Sequence, residues 1–223
     1  MIKKLLVLLL LVACAYRTPD RSEWPAILRG ASFDPLTPEL RIAKRPLFLD
    51  AGGRVISMEA APAYMRQLEA RLEDAIRKPG TQITRIGTDV TVVIVRSSFI
   101  YSDSPEITPM GNEILGHLAR VLRDFDMTWV EITGFTDAMH NQQHAIQLSR
   151  DMAERVAVYL AKNRVKPIRM FITGRGSSNP ISDQTDMGRL MNRRVEVRIS
   201  PVFTPTPSTT FNMIRREEPS VVQ

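Results

Sequence analysis

Trp129-Val130-Glu131-Ile132-Thr133-Gly134-Phe135-Thr136-Asp137 is the stretch on which the fold turns. From Trp129 to Phe135 it is rich in aromatic and β-branched residues, which suit a pleated, half-buried surface, and it predicts a short strand that ends at Thr136-Asp137. A long helix follows from Asn141 to Asn163, because Leu148, Ala153, Val156, Ala157 and Leu160 return at three- and four-residue spacing. Pro167 stops it, and Ile168 to Thr173 predicts the next strand. Alternation of strand and helix predicts a layered α+β domain.

The same reading extends in both directions. Upstream, Thr108-Pro109 is an N-cap followed by proline at the first helical position, and Ile114, Leu115, Leu118, Val121 and Leu122 form the apolar stripe of a helix ending near Phe125. Gln82 to Val95, rich in Ile, Val and Thr and broken near Gly87-Thr88, predicts a β-hairpin. Ala61 to Lys78 carries Met65, Leu68, Leu72, Ala75 and Ile76 on one face, an amphipathic helix closed by Pro79-Gly80. Downstream, Gly174 to Asp186 is a Gly/Ser/Pro/Asp loop, and Arg193 to Ser200 alternates Val195, Val197 and Ile199 with charged residues, a half-buried strand.

The ends differ from this core. Lys3 and Lys4 precede an apolar run from Leu5 to Val12 that is too short to span a bilayer, so residues 1–13 read as a secretory signal. It closes in Leu11-Val12-Ala13-Cys14, which resembles the lipobox of bacterial lipoproteins and implies lipidation, a palmitate-type acylation, at Cys14. Ala15 rather than Asp then implies sorting to the outer membrane, on its periplasmic face. Cys14 is the one cysteine in the sequence, which excludes an intramolecular disulfide and a cysteine-rich metal site. Residues 14–48 hold five prolines and no sustained apolar period, so they read as a lipidated, Pro-rich linker that could reach about 110 Å fully extended. Residues 49–81 are the amphipathic helix with its lead-in, 82–200 the α+β domain, and 201–223 a Pro-rich tail expected to be disordered. Formal charge is +6, and loss of Lys3 and Lys4 leaves about +4. The basic residues are interleaved with Glu and Asp, a pattern that argues against nucleic acid.

Four blocks carry a resemblance: Gly134-Phe135-Thr136-Asp137, Leu148-Ser149, Gly174-Arg175-Gly176 with Pro180, and Asn192-Arg193-Arg194-Val195-Glu196. In this order and spacing they resemble the OmpA-like peptidoglycan-binding domain along Phe99 to Ile199. The resemblance implies a βαβαβ-type domain, a mixed sheet with helices packed on one face. It also implies a shallow pocket for the diaminopimelate of a peptidoglycan stem peptide, around Thr136, Asp137, Ser149, Asn192 and Arg193. A carboxylate such as Asp137 can hold the ammonium and a guanidinium the carboxylate through a bidentate fork.

This sequence departs from the family at a chemically important place. The helix of the family reads Leu-Ser-x-x-Arg-Ala, whereas Leu148-Ser149-Arg150-Asp151-Met152-Ala153 puts Met152 at the arginine, and Ala145 stands at a frequent asparagine. Losing such a charge-assisted bond weakens binding by about 1.5–3 kcal/mol. Arg155, one turn on and rotated by about 60°, is the candidate replacement.

The remaining signals favour plain readings. His140 and His144 have no Cys, Glu or Asp beside them to complete a metal set, and Ser149 lacks a nucleophile elbow, so neither a metal nor an enzyme is expected. No cofactor is implied. Two functions are expected: a lipid-anchored module that binds peptidoglycan, or a structural subunit of an envelope-spanning complex, such as a type IV secretion outer-membrane core, with a degenerate pocket.

Overall fold

A computed structural model of the chain describes residues 21–100, 106–137, 141–183 and 185–204. Residues 1–20, with the expected signal and Cys14, and residues 205–223 lie outside the described residues. Five strands form one sheet in the order β1-β2-β5-β3-β4. They are β1 (Thr81–Ile86), β2 (Asp89–Val95), β3 (Thr128–Phe135), β4 (Met170–Gly174) and β5 (Arg194–Pro201). The pair β3/β4 is parallel and every other pair antiparallel, so the sheet is mixed. Seven α-helices are present among the described residues: α1 (Trp24–Ile27), α2 (Pro38–Asp50), α3 (Ala61–Ile76), α4 (Arg96–Phe99), α5 (Pro109–Asp124), α6 (Gln142–Lys162) and α7 (Asp186–Asn192). None of these helices is long and apolar enough to cross a membrane.

Alternation along the strands sends Val90, Val92, Ile94, Val130, Ile132, Met170, Ile172, Val195, Val197 and Ile199 to one face, where all are fully buried. Against them pack Met65, Leu68 and Leu72 of α3, Ile114, Leu115 and Leu118 of α5, and Val156, Ala157 and Leu160 of α6. Each of these side chains larger than alanine contributes roughly 1.5–3 kcal/mol by leaving water. Helix ends follow the expected signals: Thr108 Oγ1 accepts from Gly111 N at 2.9 Å, and Asn141 Oδ1 accepts from His144 N at 3.0 Å. Gly87, at φ +61, turns the β1/β2 hairpin with nothing near its absent side chain.

The linker expectation is corrected over residues 21–48. Trp24, Leu28, Leu36 and Phe48 are buried, and these four anchors dock the segment on the domain. Phe48 lies 5.1 Å from the ring of Trp129, and Trp129 lies edge-on to Phe171 at 5.5 Å, so α2 covers part of the sheet face opposite the main core. Ser32 adds a parallel bridge to the outer edge of β4, donating to Met170 O at 2.9 Å and accepting from Ile172 N at 2.8 Å. Leu36 N donates to the carboxylate of Glu131 at 2.9 Å. The prolines mislead because Pro25 and Pro38 stand in first helical turns, where the missing N–H has no intrahelical partner to lose. Six residues, rather than thirty-four, then lie between Cys14 and the first described residue, a span of at most about 25 Å.

Candidate functional site

The carboxyl ends of β3 and β4 meet the first turns of α6 at one pole of the sheet. Close approach there depends on two missing side chains. A Cβ on Gly134 would overlap the carbonyl oxygen of Ser149, and one on Gly174 would overlap that of Ile146. Gly176, at φ +58, then turns the loop after β4 back across the end of β3. Its carbonyl accepts from Thr136 N at 2.8 Å, and its amide donates to Ser149 Oγ at 2.9 Å. Arg175 N donates to Gly134 O at 3.0 Å. These bonds fix the backbone of Thr136 and so the direction in which Asp137 leaves the strand.

Asp137 is partly exposed at this end, and its Oδ1 accepts from Thr136 Oγ1 at 3.2 Å. Arg193, at the head of β5, brings its Nε to 4.0 Å from the same oxygen. Arg96 lies beside Arg193: its amide donates to the Arg193 carbonyl at 2.7 Å, continuing the β2/β5 register in which Val95 faces Arg194. Burial first, and the neighbouring charge of Arg193 second, hold the Arg96 guanidinium below its ordinary pKa. The site therefore sets one carboxylate beside Arg193, and Arg193 beside a second, like-charged arginine, Arg96; a carboxylate next to a guanidinium can take the ammonium and the carboxylate of a zwitterion. Sequence reasoning missed Arg96, although the pairing of 95 with 194 would have placed it next to Arg193.

Ser149 and Asn192 sit in the frame of the site. Ser149 is fully buried, with its hydroxyl donating to Ile146 O at 2.8 Å and accepting from Gly176, so it ties α6 to the loop. Asn192, 1% exposed, accepts from the amides of Ile181 and Ser182 at 2.9 and 3.0 Å and donates to Ser182 O and Asp183 O at 3.1 and 3.3 Å. An Asn192→Ala variant leaves two amides and two carbonyls of the loop without these partners. It is expected to lose about 2–3 kcal/mol of stability and to speed hydrogen exchange at Ile181 and Ser182. Unchanged exchange there would contradict the clip. Arg194 is also structural. It stacks on Phe135 at 4.0 Å and donates to Glu196 at 2.7 Å and to Asn179 O at 3.1 Å, which separates its role from that of its neighbour Arg193.

Met152 is 3% exposed and belongs to the main core, so the side chain at this position does not open onto solvent. Arg155 stands 5.6 Å over the ring of Trp24. Burial lowers its pKa, and the charges acting on it are Asp151, Arg21, Arg96 and Glu154, without Asp137 among them. The structure thus joins Thr136, Asp137 and Arg193, frames them with Ser149 and Asn192, and engages Arg155 with the N-terminal segment. Of the two histidines weighed as metal ligands, His140 lies outside the described residues and His144 is exposed. No group of three His, Cys, Asp or Glu is placed to hold a metal ion among the described residues.

The model of the OmpA family matches residues 101–193. A probable lipoprotein of Escherichia coli, YiaD, is 34% identical over 140 residues, which cover 62% of this chain and 64% of that protein. The peptidoglycan-binding protein ArfA of Mycobacterium tuberculosis is 36% identical over 100 residues, 44% of this chain and 31% of that protein. The chain thus spans just under two thirds of the first relative and about a third of the second. Among solved structures, a MotB-like protein from Desulfovibrio vulgaris superposes with a TM-score of 0.57 over 65% of this chain and 93% of that one. At 19% identity it shows the shared fold.

Proposed function

We propose that this chain, whose residues 101–193 match the model of the OmpA family, is an outer-membrane lipoprotein that binds a peptidoglycan stem peptide non-covalently from the periplasmic face. The carrying observation is the pairing of Asp137 with Arg193 at 4.0 Å on the end of β3. In this reading Asp137 holds the ammonium of diaminopimelate, and Arg193, with Arg96 beside it, holds the adjacent carboxylate in place of the arginine that Met152 replaces. The OmpA family match and the name of ArfA support the ligand, and the name of YiaD supports the lipid anchor at Cys14. The role is binding rather than catalysis. The site's two hydroxyls are both buried and engaged, that of Ser149 donating to a carbonyl and that of Thr136 to Asp137.

The test is retention on purified sacculi of the chain from residue 14 with Cys14→Ser, which removes the acylation site. Asp137→Ala is expected to lower retention ten- to more than one-hundred-fold, as loss of a charge-assisted bond worth about 1.5–3 kcal/mol requires. Arg193→Ala is expected to act in the same direction. Parent and Asp137→Ala retained equally would overturn the assignment.

A second reading has its own observation. Next to the site, α7 and the loop before it expose Met187 at 71%, Ile181 at 50% and Met191 at 39%. An adaptable apolar collar of this kind suits a protein contact. If the parent itself is not retained by sacculi, the domain is better read as a structural subunit of an envelope-spanning complex, of which a type IV secretion outer-membrane core is an example.

A further inference from the structure

Residues 21–33 do more than cover α6. Arg21 bonds Asp151 and lies 3.9 Å from Glu154, while Arg150 Nε bonds Glu154 at 3.1 Å. Between this segment and the helix lies a cavity of about 440 Å³. Trp24 and Leu28, both buried, give it an apolar floor, and Phe33, Arg21, Arg29, Arg150 and Glu154 line its rim. Two of the guanidiniums lie against the aromatic rings, Arg21 5.3 Å from Trp24 and Arg150 5.1 Å from Phe33. Asp151 and Glu154 answer Arg21 and Arg150, but Arg29 is exposed and faces neither in an ion pair, so the rim keeps an excess of positive charge.

We propose that this cavity binds the phosphodiester head group of an anionic glycerophospholipid. A guanidinium fork matches phosphate oxygens through paired charge-assisted bonds, and the glycerol and first methylenes of the lipid fit the apolar floor. The location supplies the occupant: Arg21 is seven residues from Cys14, so a lipid on that cysteine brings the cavity mouth within about 25 Å of the bilayer. The choice of occupant rests on the proposed lipidation of Cys14. Head-group binding would hold the domain on the leaflet, where a free linker would let it wander.

The test uses the chain from residue 14 with Cys14→Ser, sedimented with vesicles of phosphatidylcholine alone or with about one third phosphatidylglycerol. The parent is expected to partition to the anionic vesicles. Arg29→Gln should reduce that partition about fivefold, and Arg29→Gln with Arg150→Gln more than tenfold. Arg66→Gln, an exposed arginine on α3, is the control of equal charge change and should leave it unaltered. Short-chain phosphatidylglycerol should compete, whereas inorganic phosphate at the same concentration should not. Equal competition by phosphate would mean a plain anion site and overturn the lipid assignment, as would equal losses for Arg66→Gln and Arg29→Gln or indifference of the parent to vesicle charge. Arg29 is exposed, so an unchanged thermal midpoint confirms that its variant is folded. Palmitate labelling of Cys14 in cells separates the two readings. Vesicle binding without labelling removes the lipoprotein and leaves the cavity, and labelling without vesicle binding does the reverse.

Discussion

An Arg169→Met variant is expected to lose about 3–5 kcal/mol of folding stability, because it takes a buried donor from backbone carbonyls that cannot turn to water. Arg169 is 1% exposed. Its guanidinium donates to Thr128 O at 2.7 Å, Leu122 O at 2.8 Å, Phe125 O at 2.9 Å and Thr128 Oγ1 at 2.6 Å. It closes the carboxyl end of α5, where helix carbonyls have no further amides to accept from, and ties that end to the starts of β3 and β4. Burial pulls its pKa down to about 10, so the group is still cationic at neutral pH. Methionine fills a similar volume but takes this donor from Leu122 O and Thr128 O, each loss costing about 1–3 kcal/mol, whereas Phe125 O keeps the Thr128 hydroxyl at 2.9 Å. For a domain of this size the thermal midpoint should fall by roughly 10 °C. Arg169→Lys keeps the charge and should recover part of the loss, because an ammonium cannot reach all four oxygens. A loss below about 1 kcal/mol in chemical denaturation would show that water replaces the guanidinium.

Arg169 also illustrates what the sequence conceals. Within Ile168 to Thr173 it reads as a charge interrupting a strand, yet it is among the most buried side chains, because its partners are backbone carbonyls that no side-chain pattern reports. The legible elements were those with local causes. Thr108-Pro109 starts α5 through a side-chain cap, Asn141 caps α6, and the alternation of Val195, Val197 and Ile199 gives β5 its buried face. Thr37-Pro38 is the same signal as Thr108-Pro109 and starts α2, with Thr37 Oγ1 accepting from Leu40 N at 3.2 Å, but neighbouring prolines masked it. Docking of α2 depends chiefly on Phe48 meeting Trp129 across about eighty residues of chain, a contact that periodicity cannot see. The same division holds at the site. The motif located Thr136 and Asp137, while the partner of Asp137 follows from strand register and the engagement of Arg155 follows from the unforeseen position of Trp24.

The second large effect is expected from a single methyl group. Gly134→Ala places a Cβ where the carbonyl of Ser149 lies, and that atom is helix backbone, which cannot turn aside as a side chain can. Either β3 or α6 must move, and over-packing of a rigid contact costs typically 1–3 kcal/mol and occasionally more. We expect the upper end, because two backbones meet directly. The displacement acts first on the bond from Gly176 N to Ser149 Oγ, then on that from Thr136 N to Gly176 O, and through them on the direction of Asp137. Sacculus retention should therefore fall several-fold at temperatures where circular dichroism still reports a folded domain, and the thermal midpoint should drop as well. Gly116→Ala on α5 is the contrast: its added Cβ meets only the Tyr159 hydroxyl, at 3.5 Å, an ordinary contact. Removing a helix-interior glycine there should be neutral or stabilise by up to about 1 kcal/mol. Equal behaviour of the two variants would mean that α6 does not rest on β3 at Gly134. Loss of stability without loss of retention would mean that the frame built by Ser149 and Gly176 does not aim Asp137.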